Sequence, residues 1–217
     1  MGVFVNPDEI ENSIREAGTL NFGDFGISAD GKRTLDFFQN SQFLETVNLS
    51  SSALKLRFAQ NSLFFRNCQI NSYFASVASD FIRQRLIEES QSFSFETVMS
   101  SPDKVEFLKK SKNNGYRNYL YFVATENPEI NISRVEVRVK AGGHNVPIDK
   151  IESRYFRSME LLLEAIKQTD RAYIFDNSGE KAVLLAEITD GEKLEIRSSK
   201  IPSWFRQYVI DKIAMIS

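Results

Sequence analysis

From Ser92 onward, apolar runs of strand length alternate with segments of helical spacing, and this alternation restricts the fold more than any other feature of the chain. The predicted strands span 93–96, 119–124 and 172–175, and the predicted helices span 102–112, 130–140 and 147–168. The run from Tyr119 to Ala124 is continuously apolar, which is typical of a strand buried on both faces. Strands joined by helical crossovers form a mostly parallel sheet between helical layers, so the sequence predicts an α/β fold.

The flanking segments add one strand and helix at the start and a hairpin at the end. Pro7 suits the first turn of a helix, and Gly18 suits its end. The remaining predicted elements are a strand at 3–5, a loop at 19–26, a helix capped by Ser28 or Asp30 that runs to Gln39, two helices between Leu49 and Glu89, strands at 182–188 and 194–197, and a helix at 202–216.

Composition places the chain among ordinary globular proteins. Its 217 residues with an apolar fraction of 42% predict one domain covering residues 1–217. The longest apolar stretch is far shorter than the ~20 residues that cross a bilayer, so no membrane segment is expected. The single cysteine, Cys68, cannot form an internal disulfide, which fits a reducing cytoplasm. We predict that Cys68 fills space in the interior and is not a nucleophile.

Charge is unevenly distributed along the chain. The net charge of −2 offers no general attraction to nucleic acid or to an anionic membrane. The segment from Arg134 to Arg157 nevertheless contains six basic and three acidic residues. Such a local basic band favours a compact anion, for example a phosphate group; the alternative is a pair of helices with solvated charged faces.

Polar residues follow each predicted parallel strand. Ligands of such sheets bind beyond the carboxyl ends of the strands, where loops and helix N-termini present unpaired N–H groups. The residues at these ends are Asn6, Asp8, Glu96, Thr97, Thr125, Glu126, Asp176 and Asn177. A carboxylate there can accept a proton from an attacking hydroxyl. Taken singly, each of these side chains also suits a helix cap or a turn.

Two helices carry paired arginines on either side of a glycine-containing turn. Arg134 and Arg138 share one helix face, and Arg154 and Arg157 share another, away from the apolar stripe of their helix. Arginine provides a rigid set of donors for the charge of a transferring phosphoryl group. The turn contains Gly142, Gly143 and His144, so the segment predicts a lid. His144 either contacts substrate or phosphate, or caps the turn.

These residues together resemble the zeta-toxin-like kinases, a family that includes stand-alone bacterial proteins described as ATPases. The similar stretches begin with FVNPDEI at 4–10, SFSFETV at 92–98, GY at 115–116 and FVAT at 122–125. They continue with PE at 128–129, RV at 134–135 and at 138–139, GGH at 142–144, and VP at 146–147. The last are Ile151, RY at 154–155, RS at 157–158, and DNS at 176–178. The resemblance covers about residues 3–10 and 92–188, and residues 28–90 correspond to a helical insertion.

The resemblance implies a P-loop kinase-like three-layer sandwich and a phosphotransferase activity. Toxin members of the family phosphorylate a hydroxyl of UDP-N-acetylglucosamine with ATP and Mg²⁺, and some act with an antitoxin partner. By this resemblance Asp8 is the base, while Asn6, Glu96 and Thr97 bind the nucleotide sugar. Arg138 and Arg154 then stabilise the transferring phosphoryl group, and Arg134, Arg157 and His144 are further candidates for substrate binding.

One part of the family pattern is absent from the 217 residues. A Gly-rich loop ending in Gly-Lys-Ser/Thr should precede the motif at 4–10, together with a central strand between those at 93–96 and 119–124. The segment Gly26 to Lys32 has the glycine spacing, but Arg33 replaces the required hydroxyl and no strand precedes it. The simplest hypothesis is that this chain is a truncated copy of a longer kinase, and we expect it to be inactive or nearly so.

Two other functions remain open from the sequence. A non-catalytic module would keep the acceptor site and bind a nucleotide sugar or a protein. A nucleic-acid-binding protein would use the basic helices, but the overall acidity disfavours it.

Overall fold

The computed structural model describes residues 2–66, 68, 71–143 and 145–214. The chain divides into two compact units, the first ending at Glu96 and the second beginning at Thr97. Both units contain helices and strands, which confirms the predicted α/β class. The prediction of one domain over the whole chain stays a prediction. No helix among the described residues is both long and apolar enough to cross a membrane.

The first unit contains a parallel strand pair and a small antiparallel sheet. Its elements are β1 (Val3–Val5), α1 (Pro7–Ala17), β2 (Thr19–Asn21), α2 (Gly31–Gln39), α3 (Gln42–Thr46), α4 (Ser50–Ala53), β3 (Arg57–Ala59), β4 (Ser62–Phe64), α5 (Ser72–Glu88) and β5 (Phe93–Phe95). Strand β1 pairs with β5 in parallel, and β2, β4 and β3 form an antiparallel sheet in that order.

The core of the first unit forms around α1 and α5. Helix α1 is amphipathic and buries Ile10 and Ile14, and Gly18 ends it in the left-handed conformation at φ 68°, as predicted. Helix α5 is buried over most of its length. Phe22 lies in this core with its ring edge against Phe81, at a centroid distance of 5.3 Å.

Two predictions for the first unit are wrong. The predicted loop at 19–26 contains β2 and a 3₁₀-helix at Phe22–Phe25. The first helix predicted between Leu49 and Glu89 is reduced to the four residues of α4 and is followed by the hairpin β3–β4. Gln60 and Asn61 adopt φ values of 49° and 57°, which suit a tight hairpin turn and are incompatible with a continuing helix. The insertion at 28–90 is therefore only partly helical.

The second unit is a four-stranded sheet with helices against one face. Its elements are α6 (Pro102–Asn113), β6 (Tyr119–Ala124), α7 (Pro128–Lys140), α8 (Ile148–Lys167), β7 (Arg171–Asp176), β8 (Val183–Thr189), β9 (Lys193–Ile196), α9 (Ser203–Phe205) and α10 (Asp211–Ala214), with a π-helical turn at Arg206–Ile210. The strand order is β6-β7-β8-β9, with β6 parallel to β7 and the other pairs antiparallel. The predicted elements from 102 to 197 that lie in this unit are confirmed, with ends that differ by two residues at most. The single helix predicted at 202–216 is instead three short helical segments, and residues 215–216 of that prediction lie outside the described residues.

Helix α8 supplies the apolar layer beneath the sheet. The predicted stripe is confirmed, because Tyr155, Met159 and Leu162 are buried in one cluster with Phe122 and Ala124 of β6. The opposite face of β6 is open, since Tyr119, Tyr121 and Val123 are exposed. The prediction that this strand is buried on both faces is therefore wrong. A continuous apolar run does not distinguish a doubly buried strand from one whose second face carries exposed aromatic residues.

Candidate functional site

The carboxyl ends of β1 and β5 form a polar edge in the first unit. The two strands are in register, with Val5 opposite Phe95, so Asn6 and Glu96 follow at equivalent positions. Asn6 Nδ2 donates a hydrogen bond to Glu96 Oε2 at 3.2 Å. The same asparagine caps α1, because its Oδ1 accepts hydrogen bonds from the backbone N–H of Asp8 at 2.8 Å and of Glu9 at 3.4 Å. The structure therefore brings Asn6, Asp8 and Glu96 together.

Asp8 lies exposed in the first turn of α1. No hydrogen bond or ion pair to its carboxylate occurs within the described part of the chain, so this exposed side chain is accessible to a ligand. Glu96 is also exposed, and one of its two carboxylate oxygens accepts the hydrogen bond from Asn6. The edge thus presents two carboxylates whose backbone positions are held by a helix cap and a parallel ladder. Such carboxylates can accept hydrogen bonds, or a proton, from sugar hydroxyls.

The carboxyl ends of β6 and β7 form a second polar edge, within the second unit. Asp176 ends β7 opposite Ala124, the last residue of β6. Its Oδ1 accepts hydrogen bonds from the Ser178 hydroxyl at 2.7 Å and from Trp204 Nε1 at 3.2 Å. Ser178 Oγ in turn accepts the backbone N–H of Glu126 at 2.7 Å. Asp176 is therefore engaged in holding the loops together, which is the turn-forming alternative that the sequence left open.

The neighbouring threonine and tyrosine complete this network. Buried Thr125 donates its hydroxyl to the Asn127 carbonyl at 2.9 Å and accepts a bond from Asn131 Nδ2 at 2.9 Å. The Tyr155 hydroxyl donates to the Thr125 carbonyl at 2.9 Å. Burial, followed by the nearby charges of Glu126 and other acidic groups, raises the pKa of Tyr155. Tyr155 is thus a neutral donor that orients the loop after β6, a role that periodicity alone did not indicate.

The two arginines of α7 have different surroundings. Arg134 Nη2 donates to the carbonyl of Asn177 at 2.6 Å and to that of Gly179 at 3.3 Å. It also borders a cavity of about 390 Å³ that is lined by Ile130, Val137 and Ser178 as well. Arg138 is exposed near the end of α7 and lies against Gly143, where a Cβ atom would be only 2.6 Å from Arg138 Cγ. Arg134 is therefore anchored to the loop after β7, whereas Arg138 borders the turn.

The arginines of α8 point away from the buried stripe, as predicted. Arg154 and Arg157 are both exposed. Arg157 Nε donates to the Ser153 carbonyl at 3.1 Å. For Arg154, no hydrogen bond or ion pair is found in the described residues. Helices α7 and α8 pack against each other and are joined through Gly142, which has a φ of 87°.

Two further predicted site residues lie outside these clusters. Thr97 is exposed at the start of the second unit, and its Oγ1 accepts the backbone N–H of Met99 at 3.2 Å. His144 lies outside the described residues.

The segment Gly26 to Lys32 follows a 3₁₀-helix and not a strand, and a Cβ at Gly31 would lie 2.6 Å from the Phe58 ring. A phosphate-binding loop instead follows a strand and opens a helix, so the absence of such a loop stays a prediction.

Cys68 provides a first testable prediction. The thiol donates to the Ser52 carbonyl at 3.2 Å, and burial raises its pKa despite the opposing charge of Lys55. A raised pKa lowers the fraction of reactive thiolate at neutral pH. We expect the native protein to react with a disulfide reagent at pH 7.5 more slowly than the urea-unfolded protein, with the rate rising as the pH is increased. Equal rates for the two states would contradict this account.

Two parallel strand pairs, in which β1, β5 and β6 are each followed by a helix, and the arginine-bearing helical pair are consistent with an α/β protein of the P-loop kinase-like class. The chain belongs to the Zeta toxin family, because the model of that family matches residues 66–189, which is more than half of the chain. This confirms the resemblance drawn from the sequence motifs.

Part of the chain is also similar to a bacterial protein. The chain is 32% identical over 69 residues to an uncharacterized protein of Haemophilus influenzae (strain ATCC 51907 / DSM 11121 / KW20 / Rd). That match covers 32% of this chain and 49% of the relative, so the chain spans about half the length of the relative. No solved structure matches the chain.

Proposed function

We propose that the chain is a small-molecule kinase of zeta-toxin type, whose acceptor is a hydroxyl of a nucleotide sugar such as UDP-N-acetylglucosamine. The observation that supports this most is the hydrogen bond from Asn6 to Glu96, which joins the carboxyl ends of two parallel strands next to Asp8. The hydroxyl groups of a sugar can donate hydrogen bonds to carboxylates, and this edge presents two carboxylates, those of Asp8 and Glu96. Thr97, which follows Glu96 in the chain, is proposed as a further contact to the nucleotide sugar.

Asp8 is proposed as the base of the transfer. Its exposed carboxylate takes the proton of the acceptor hydroxyl while the hydroxyl oxygen forms a bond to the γ-phosphorus of ATP and the bond to the β-phosphate oxygen breaks, which releases ADP. Asn6 supports this role because its cap holds the first turn of α1, and with it the backbone of Asp8, in place.

The arginines are proposed to bind the donor. Exposed guanidinium groups at Arg138 and Arg154 suit the equatorial oxygens of the transferring phosphoryl group, whose charge spreads during the reaction. Arg157, also exposed, is proposed as a further phosphate contact. Arg134, which borders a shallow and open depression on α7, is proposed as another contact to the phosphates.

The residues described here do not form a complete site for Mg-ATP. They contain no group of three side chains that could hold a metal ion. Mg²⁺ is usually bound through one or two carboxylates together with substrate phosphates, but the Gly-Lys-Ser/Thr loop that cradles those phosphates does not occur in the 217 residues. No step is therefore derived through the metal, and we expect slow phosphoryl transfer by this chain.

The same observation favours a second candidate function, a non-catalytic module that binds a nucleotide sugar or a partner protein such as an antitoxin. Isothermal titration calorimetry distinguishes the two functions. Binding of both UDP-N-acetylglucosamine and Mg-ATP, with measurable transfer, supports the kinase. Binding of the nucleotide sugar without binding of ATP supports the module. Binding of neither ligand contradicts the kinase and a module that binds a nucleotide sugar, and leaves only the module that binds a partner protein.

Replacing Glu96 with glutamine tests the acceptor edge. Glutamine can still accept the Asn6 hydrogen bond through its amide oxygen, but it loses the negative charge. Hydrogen bonds to charged groups contribute about 1.5–3 kcal/mol, so we expect the Kd for UDP-N-acetylglucosamine to rise by roughly tenfold or more. Glu45→Gln on α3 is the matched control, since Glu45 is an equally charged and exposed residue of the same unit. An unchanged Kd for Glu96→Gln would remove Glu96 from the site.

A further inference from the structure

A second cavity of the second unit is lined by aromatic rings and carboxylates. It has a volume of about 340 Å³ and lies where the N-terminus of α7 meets α8 and the C-terminal helical segment. The rings are those of Tyr155, Phe156, Trp204 and Tyr208, and the carboxylates are those of Glu126 and Glu129. No lysine or arginine lines the cavity within the described part of the chain. The proposed function uses none of these six side chains as a ligand contact.

Two of the rings form a rigid floor. Trp204 is only 2% exposed, and its Nε1 donates to Asp176 Oδ1 at 3.2 Å. The Tyr155 hydroxyl donates to the carbonyls of Thr125 and Glu126, at 2.9 and 3.1 Å. Their polar atoms are bonded elsewhere, and the exposed fractions of 2% for Trp204 and 9% for Tyr155 leave only a small part of each ring accessible at the floor of the cavity. Such preorganised rings lose little conformational entropy when a ligand binds.

Phe156 forms an open wall beside this floor. Its ring stands at 87° to that of Tyr155, with a centroid distance of 5.2 Å, and its exposed fraction is 46%. A ligand that covers the Phe156 ring removes apolar surface from water, and this removal favours binding. The cavity is therefore open to solvent, and its lining combines aromatic rings with polar side chains.

The electrostatics of the cavity favour a positive ligand. Glu126 Oε1 is held by the backbone N–H of Ser203 at 3.1 Å and by the Ser203 hydroxyl. Glu129 is exposed in the first turn of α7, with no hydrogen bond or ion pair found among the described residues. The ammonium of Lys212 lies 5.4 Å from the centre of the Tyr208 ring, outside the lining, so one ring of the wall already contacts a cation. A phosphate would meet the carboxylates of Glu126 and Glu129, and among the described residues the cationic group of Lys212 lies at the Tyr208 ring, outside the lining.

We propose that this cavity binds a small organic ammonium ion, held between aromatic ring faces and the carboxylates of Glu126 and Glu129. Aromatic rings attract ammonium groups through their negative faces, and the interaction strengthens when the ligand is desolvated. A carboxylate beside the rings adds direct charge attraction. This inference goes beyond the kinase activity and does not depend on it.

The single tryptophan of the chain makes the test direct. Because Trp204 lines the cavity and no other tryptophan is present, a ligand there should change the intrinsic fluorescence. We expect a saturable change with choline or ethanolamine. The probe 3,3-dimethylbutan-1-ol has the shape of choline without its charge, and we expect it to bind at least about tenfold more weakly. Equal binding of choline and the neutral alcohol, or no saturable change with either ammonium compound, would overturn the proposal.

Two variants locate the binding. Phe156→Ala removes an exposed ring, and Glu129→Gln removes one charge from an exposed turn, so neither is expected to disturb folding. Each should raise the Kd of the bound ammonium compound by roughly fivefold to tenfold. Phe43→Ala is the matched control, because Phe43 has the same exposed fraction of 46% but lies in the first unit. Unchanged affinity in both cavity variants would overturn the proposal, as would tighter binding of uridine or adenosine than of choline.

Discussion

Replacing Asp8 with asparagine is expected to lower the rate of phosphoryl transfer to UDP-N-acetylglucosamine by about 10²- to 10⁴-fold, the usual contribution of a positioned general base. The amide cannot take the proton of the acceptor hydroxyl, so the attacking oxygen stays protonated. The backbone of residue 8 should remain in place, because its N–H still donates to Asn6 Oδ1. Transfer is measured with Mg-ATP labelled at the γ-phosphate, which also detects the slow turnover expected of this chain.

The neighbouring carboxylate supplies the control for Asp8. Glu9 is also exposed in the first turn of α1, and its N–H also donates to Asn6 Oδ1, so Glu9→Gln changes the charge by the same amount. We expect Glu9→Gln to transfer phosphate at nearly the wild-type rate. Binding of the nucleotide sugar by Asp8→Asn, measured by calorimetry, should stay within about threefold of wild type. An equal loss of transfer in both variants would refute the assignment of Asp8 as the base.

Replacing Asn118 with alanine is expected to destabilise the second unit by about 2–4 kcal/mol. Asn118 is 8% exposed, and its Nδ2 donates to the carbonyls of Leu108 and Gln168, both at 2.8 Å. Its Oδ1 accepts the Ser111 hydroxyl at 2.7 Å. Alanine would leave these groups partly unsatisfied in the interior, and such groups cost about 1–3 kcal/mol each. Urea unfolding followed by Trp204 fluorescence reports on the unit that contains Asn118.

Asn114 provides the comparison for Asn118. Its Nδ2 also donates to a backbone carbonyl, that of Lys110 at 2.8 Å, but the residue is exposed. Water can replace that bond, so Asn114→Ala should change the free energy of unfolding by about 0.5 kcal/mol or less. If both variants had the same small effect, the Asn118 network would not contribute measurably to the stability of the unit.

The sequence was most informative where long periodic segments specify an element without help from distant residues. Helices α6, α7 and α8 and strands β6 to β9 were predicted to within a few residues, because apolar spacing and Pro or Gly signals act locally. The first polar edge was predicted for a related reason. Residues that follow paired parallel strands lie together once the register is set, which places Asn6 beside Glu96.

The sequence was least informative where short elements depend on contacts with distant residues. Strands β3 and β4 have three residues each, and their turn depends on Asn61, whose side chain accepts the Ala29 N–H and donates to the Ile27 carbonyl, both at 2.8 Å. No local pattern predicts such contacts across more than thirty residues. The same limit explains why Arg134, predicted only as a ligand contact, also holds the loop after β7.

The amino-acid sequence by itself determined the α/β class, the order of most elements, the family motifs and the candidate residues at the strand ends, because these follow from spacing along the chain. The tertiary structure alone decided which of those polar side chains are available. Asp8 remains open to a ligand, whereas Asp176 is engaged by Ser178 and Trp204. The tertiary structure also brings together the three separate helical segments that line the aromatic cavity. Whether a side chain can reach a ligand, and where a cavity forms, both depend on packing between residues that are distant in the chain. The spacing of residues along the sequence does not specify that packing.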